Sequence, residues 1–147
     1  ETLTAPKKVE FLPSNSSSHK TDQPDRFRPC VLIVEDEKTN REYMKYLLLE
    51  SYDVDTSENG ISALERAAKF RYDLIFMDVN LNREMTGIEA MKKIREIEHY
   101  KTCPIAAVTA NVMKNTRDDL LSRGFTHYLA KPFTREQLIN LSHEMLK

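Results

Sequence analysis

The chain has 147 residues, room for one domain of ordinary size plus a tail. At 40% apolar and 31% charged it belongs with globular chains rather than disordered or fibrous ones. Lys and Arg (22) nearly balance Asp and Glu (23), which removes the strongly basic composition that argues for nucleic-acid binding, and neither a bilayer-length apolar run nor a secretory leader is present.

Residues 1–29 contain Pro6, Pro13, Pro24, Pro29 and the run Ser16-Ser17-Ser18, with few apolar side chains. Such a segment cannot bury enough surface to offset its own ordering entropy, so it reads as a linker or tail. Its short patch Val9-Glu10-Phe11-Leu12 suits either the last strand of a preceding domain or a surface that packs on the main one. Starting at Glu1 rather than Met, the chain reads as a piece of a longer or processed protein. Cys30 and Cys103 lie far apart without metal-ligand spacing and read as reduced thiols of a cytoplasmic protein.

From Cys30 onward, strand and helix signals alternate. Val31–Val34, Leu74–Met77 and Ile105–Val108 are short continuous apolar runs, which suit strands covered on both faces of a parallel sheet. Residues 52–56 and 126–130 are weaker strand candidates. Between them, helical spacing predicts buried faces of Met44, Leu47 and Leu48, then Ile61, Leu64 and Ala68, then Ile88, Met91 and Ile94, and last Leu138, Leu141 and Met145. Residues 113–123 are helical by propensity but offer only Met113, Leu120 and Leu121 as anchors, so that helix should be the least firmly held. Gly60 suits the turn into the second helix, and Gly124 the cap of the fourth. The expectation for residues 30–147 is an α/β fold: a (βα)5 doubly wound parallel sheet with right-handed crossovers.

In such a sheet, ligands collect outside the carboxyl ends of the strands. Polar residues stand there: Glu35 and Asp36 after the first strand, Asp78 after the third, Thr109 after the fourth and Lys131 after the fifth. Carboxylates brought within a few ångströms repel by roughly 4 kcal/mol per close pair at an effective dielectric near 20. A lysine, a proton or a hard divalent cation must compensate. An oxygen-only set without His or Cys selects Mg²⁺ or Ca²⁺ over zinc. Mg²⁺ keeps positions for water and phosphate oxygens, so a phosphoryl group is the natural guest, with Lys131 as point charge and the Thr109 hydroxyl as donor. Singly, each residue has a plainer explanation: Glu35 and Asp36 as a helix-start acidic pair, Asp78 as an N-cap, Thr109 as a turn residue, Lys131 as a solvated loop lysine. Their recurrence at successive strand ends favours a common site.

The segments VLIVEDE (31–37), LIFMDVNL (74–81), PIAAVTAN (104–111) and HYLAKPF (127–133) closely resemble the receiver domains of two-component response regulators. The resemblance implies a flavodoxin-like five-stranded sheet of order 2-1-3-4-5, with Asp78 as phosphoacceptor and Glu35 and Asp36 as the acidic pair. Glu35, Asp36, Asp78 and the backbone carbonyl of Asn80 would make up the site for Mg²⁺ or Mn²⁺, with Asp36 and Asp78 on the ion. Thr109 and Lys131 would hold the phosphoryl oxygens, and Tyr128 would be the aromatic that swings inward with Thr109. It further implies a phosphohistidine donor on a histidine-kinase dimerisation or phosphotransfer domain, slow self-dephosphorylation, a cytoplasmic setting, and no direct contact with nucleic acid or membrane. Asn40-Arg41, Thr109-Ala110-Asn111 and the polar linker point within the family to receivers of hybrid histidine kinases.

One departure stands out. Asn82 occupies the position of the usual proline four residues after the phosphoacceptor, and Gly87 lies nine residues on rather than the usual eight, so the Asn82-Arg83-Glu84 loop carries an extra residue. Two rivals from other classes remain. A pseudo-receiver would keep the fold as a binding module without phosphorylation. A haloacid-dehalogenase-like phosphatase would need a second Asp where this chain has Asn80. With three glycines in all, a Gly-rich phosphate loop has no candidate.

Overall fold

The computed structural model describes residues 28–81, 84–111, 113–114 and 116–147. Residues 1–27, read above as a linker with the Val9–Leu12 patch, and residues Asn82 and Arg83 lie outside the described residues. The chain runs β1 (Cys30–Val34), α1 (Lys38–Leu48), β2 (Asp53–Ser57), α2 (Gly60–Lys69), β3 (Leu74–Asp78), α3 (Gly87–Arg95), a 3-10 turn (Glu98–Tyr100), β4 (Ile105–Thr109), α4 (Arg117–Arg123), β5 (His127–Ala130) and α5 (Arg135–Met145). The strands form one parallel sheet in the order β2-β1-β3-β4-β5, as expected.

β1, β3 and β4 are buried along their whole length, which explains why they read as unbroken apolar runs. The pleat divides their side chains between two cores. Val31, Ile33, Leu74, Phe76, Ala106 and Val108 face α1 and α5 through Met44, Leu47, Leu48, Leu138 and Met145. Leu32, Val34, Ile75, Met77, Ile105 and Ala107 face the opposite layer through Ala63, Ala67, Ala90, Met91, Ile94 and Leu120. β2 is an edge strand with half-buried residues, so its apolar signal is weak.

Two helix expectations need correction. The buried face of α2 is Gly60, Ala63 and Ala67, not Ile61, Leu64 and Ala68. Ile61 is 41% exposed, Leu64 is only partly buried and Ala68 is exposed. Close approach of α2 and α3 favours small residues: a Cβ on Gly60 would stand 3.1 Å from Met85 Cγ and 3.2 Å from Ala90 Cβ. Glycine and alanine carry little hydrophobic signal, so the spacing of the large aliphatics points to the neighbouring stripe. The fourth helix begins at Arg117 rather than 113, because Thr116 caps it through the Asp119 N–H, and Met113 is 87% exposed rather than an anchor. Gly124 closes it at φ 130°, where its N–H meets the carbonyl of Leu121.

Candidate functional site

β1 ends at Val34, and the Glu35 N–H continues the sheet pairing by donating to Ser57 O at 3.0 Å. That bond keeps Glu35 at the sheet margin, 1% exposed. Neither Glu35 nor Asp36 belongs to the first turn of α1; Glu37 caps that helix by accepting the Asn40 N–H at 2.8 Å. Both carboxylates precede the helix and turn instead to the strand ends, where Glu35 meets Lys131 and the two converge with Asp78. On β3, Asp78 is the last residue and 4% exposed, held by its pairing with Val108 of β4 and by the Val79 N–H to Val108 O bond.

Glu35, Asp36 and Asp78 each offer a carboxylate oxygen, and these oxygens lie within 4.8 Å of one another. Lys131, the residue after β5, brings its Nζ to 2.9 Å from Glu35 Oε1 and 3.7 Å from Asp78 Oδ2. The other Glu35 oxygen accepts the Glu37 N–H at 3.2 Å. Glu35 thus pairs with Lys131, and of the three carboxylates Glu35 and Asp78 are buried while Asp36 is partly exposed. The peptide between Lys131 and Pro132 is cis, which the Lys-Pro pair permits but does not announce.

Asp78 Oδ1 accepts the Asn80 N–H at 2.9 Å. Even so, its carboxyl is pushed up to about 6, first by burial and next by the charge of Glu35; Lys131 and the Asn80 bond pull the other way without cancelling them. Thr109, 0% exposed at the end of β4, donates to Asn80 Oδ1 at 3.1 Å and accepts the Asn111 N–H at 3.0 Å. The structure thus joins Glu35, Asp36, Asp78, Asn80, Thr109 and Lys131 at one rim of the sheet. Tyr128 lies deeper. It pairs with Ala107, two rungs below the pairing of Thr109 with Ala130, and is half-buried against the core on the α3 and α4 side.

Gly87 is a residue whose importance the sequence reading understated. A Cβ there would fall 2.1 Å from the Asp78 carbonyl oxygen and 2.8 Å from Val79 Cα. The start of α3 therefore rests directly on the backbone of the acidic strand end, despite the extra loop residue. The signal was the glycine itself, seen only as displaced in spacing.

The residues fit a hard cation. Three convergent carboxylates, all-oxygen donors and an Asp78 carboxyl raised by burial and by the charge of Glu35 describe a group short of positive charge. Among the described residues, no helix is long and apolar enough to cross a membrane.

Comparison with known proteins agrees with this arrangement. A family model described as the response regulator receiver domain matches residues 31–143. The signal transduction histidine-protein kinase BarA of Escherichia coli is 37% identical over 112 residues, 76% of this chain but 12% of BarA. The sensor protein EvgS of the same organism is 39% identical over 109 residues, 74% of this chain and 9% of EvgS. The chain thus spans only about an eighth of such relatives' length. Among solved structures, the receiver domain of the sensor histidine kinase PA1611 of Pseudomonas aeruginosa, with magnesium coordinated in its active-site cleft, superposes with TM-score 0.75 at 34% identity, covering 82% of this chain and 98% of that one. The chemotaxis response regulator CheY4 of Vibrio cholerae gives 0.76 at 33% identity, covering 82% of this chain and all of that one.

Proposed function

This chain belongs to the response regulator receiver domain family, and on that premise we propose that Asp78 accepts a phosphoryl group from a phosphohistidine on a partner protein. The observation that carries the reading is the meeting of Asp36, Asp78 and the Glu35–Lys131 pair within a few ångströms at one sheet rim. Asp36, Asp78 and the Asn80 carbonyl would hold Mg²⁺, with Mn²⁺ as a chemical substitute. When bound, the cation supplies the positive charge that offsets the carboxylates and the transferring phosphoryl oxygens.

The residues of the chain do the rest. An Asp78 oxygen attacks phosphorus, the P–O bond forms as the P–N bond breaks, and the imidazole leaves with the electron pair and takes up a proton. The Asn80 N–H keeps the Asp78 carboxylate aimed out of the strand. Lys131, held by Glu35 at 2.9 Å, presents a fixed ammonium to a phosphoryl oxygen, and Thr109 supplies a hydroxyl from β4. Burial of Asp78 and Glu35 strengthens each of these interactions relative to water.

The partner is a histidine-kinase dimerisation or phosphotransfer domain, and the parent protein a cytoplasmic or membrane-attached hybrid kinase. Kinship with the histidine-protein kinase BarA and the sensor protein EvgS supports the kinase setting. Signalling output follows from a population shift in which Thr109 and Tyr128 reposition and the short, sparsely anchored α4 (Arg117–Arg123) responds.

Radiolabelled acetyl phosphate with Mg²⁺ provides the test. Hydroxylamine-sensitive label is expected on the wild type, to fall sharply in EDTA, and to be absent from Asp78→Asn. Equal labelling of the Asn variant refutes the assignment, and a folded wild type that takes no label from acetyl phosphate or a phosphohistidine donor supports the pseudo-receiver reading instead.

A further inference from the structure

A threonine hydroxyl has one proton to donate. In Thr109 that proton goes to Asn80 Oδ1 at 3.1 Å, while the same oxygen accepts the Asn111 N–H at 3.0 Å. Asn80 lies two residues after Asp78, and its own N–H donates to Asp78 Oδ1 at 2.9 Å. One residue therefore holds the acceptor carboxylate with its backbone and the β4 hydroxyl with its side chain.

The geometry points to the Asn80 side chain as a latch on Thr109: a positioning residue that keeps the hydroxyl in the resting arrangement and sets how readily the domain accommodates a phosphoryl group. The inference rests on the reading of Asp78 as phosphoacceptor. To donate to a phosphoryl oxygen, Thr109 must withdraw its proton from Asn80, so loss of that bond is part of the cost of the activated state. The magnitude is bounded by the surroundings. Thr109 is sealed from solvent, but Asn80 is exposed, so water takes over at the amide end once the bond opens. What remains is on the order of one neutral hydrogen bond.

Beryllofluoride with saturating Mg²⁺ is the probe, titrated by calorimetry into wild type, Asn80→Ala, Thr109→Ala, Thr109→Ser and the two Asn80→Ala double variants. Asn80→Ala retains the backbone N–H and carbonyl and loses only the acceptor. It should bind beryllofluoride about three- to tenfold more tightly than wild type. The gain should persist with Ser at 109, which keeps a hydroxyl, and vanish with Ala. In NMR spectra, the Thr109 methyl resonance of unliganded Asn80→Ala should shift toward its beryllofluoride-bound position. Equal or weaker binding by Asn80→Ala, or the same gain in the Thr109→Ala background, overturns the latch while leaving Asp78 as acceptor. A wild type that binds no beryllofluoride removes the acceptor reading and the latch with it.

Discussion

Asp78 is buried at the end of β3 beside two other carboxylates, and its carboxyl is raised to about 6 from an ordinary value near 3.8. The unfolded chain releases this proton at lower pH than the folded one. The metal-free fold therefore binds the extra proton between those two values, and the contribution of Asp78 to stability falls as pH rises from about 4 to about 6, then levels off. The penalty above pH 6 is on the order of 1–3 kcal/mol. Asp78→Asn removes the charge yet keeps an oxygen to accept the Asn80 N–H. In EDTA at pH 7.5 this variant should unfold at higher urea than wild type, with the gain shrinking toward zero near pH 4. Adding Mg²⁺ should stabilise wild type and not the variant, closing the gap from the other side. A variant less stable than wild type at pH 7.5 would show that Asp78 is not under electrostatic stress. Glu35, Asp36, Asp78 and Thr109 were legible in sequence because each stands at the end of a continuous apolar run, whereas Lys131 follows the weaker signal of half-buried β5. What could not be read was who holds whom: the Glu35–Lys131 pair spans residues far apart in the chain, and the Thr109–Asn80 bond joins two loop margins.

Among the elements, the strands fully covered by helices announced themselves, and the helices fared according to what they bury. α1 and α5 present Leu and Met to the sheet, and their faces follow directly from spacing. α2 presents Gly60, Ala63 and Ala67, residues that carry little hydrophobic signal although they permit the closest packing. Spacing alone could not choose between that stripe and the neighbouring Ile61 and Leu64. The contact of α3 with β3 follows the same logic in a harsher form. Gly87→Ala would drive a methyl to within 2.1 Å of the Asp78 carbonyl oxygen, a backbone atom that cannot swing aside. The helix start must lift from the strand end, at a cost of about 2–3 kcal/mol or more. Since that strand end carries the acidic site, the displacement should also weaken Mg²⁺ binding. Urea denaturation in EDTA reads the first effect and calorimetric Mg²⁺ titration the second. A Gly87→Ala protein with wild-type midpoint and affinity would mean that α3 does not need this close approach.

At the scale of the whole molecule, the two ends of the sheet have different tasks. The carboxyl ends gather three carboxylates around one lysine, and the amino ends are closed by arginines. Arg95 donates to the carbonyls of Tyr100, Cys103 and Gly124 at 2.6, 2.7 and 2.9 Å. Arg28 donates to Leu49 O at 2.8 Å and Tyr52 O at 2.9 Å and pairs with Asp53 at 3.2 Å. It thereby satisfies the carbonyls where α1 ends and ties the chain entering β1 to the turn leading into β2. Composition alone puts Arg28 and Pro29 with the tail, yet Pro29 O also accepts the Asp53 N–H at 3.0 Å. The domain thus begins its bonding before its first apolar run, which a composition shift cannot detect. Arg28→Ala leaves these carbonyls to water at a half-exposed site, so the expected loss is about 1–2 kcal/mol in urea denaturation. Because the clamp is at the opposite end from the acidic rim, beryllofluoride affinity should be unchanged in the folded variant. In a chain of residues 28–147, Arg28→Ala should reproduce the same loss. If Arg28→Ala instead changes beryllofluoride affinity at constant fold, the two ends of the sheet are coupled, and the entering chain would have a route to influence the site.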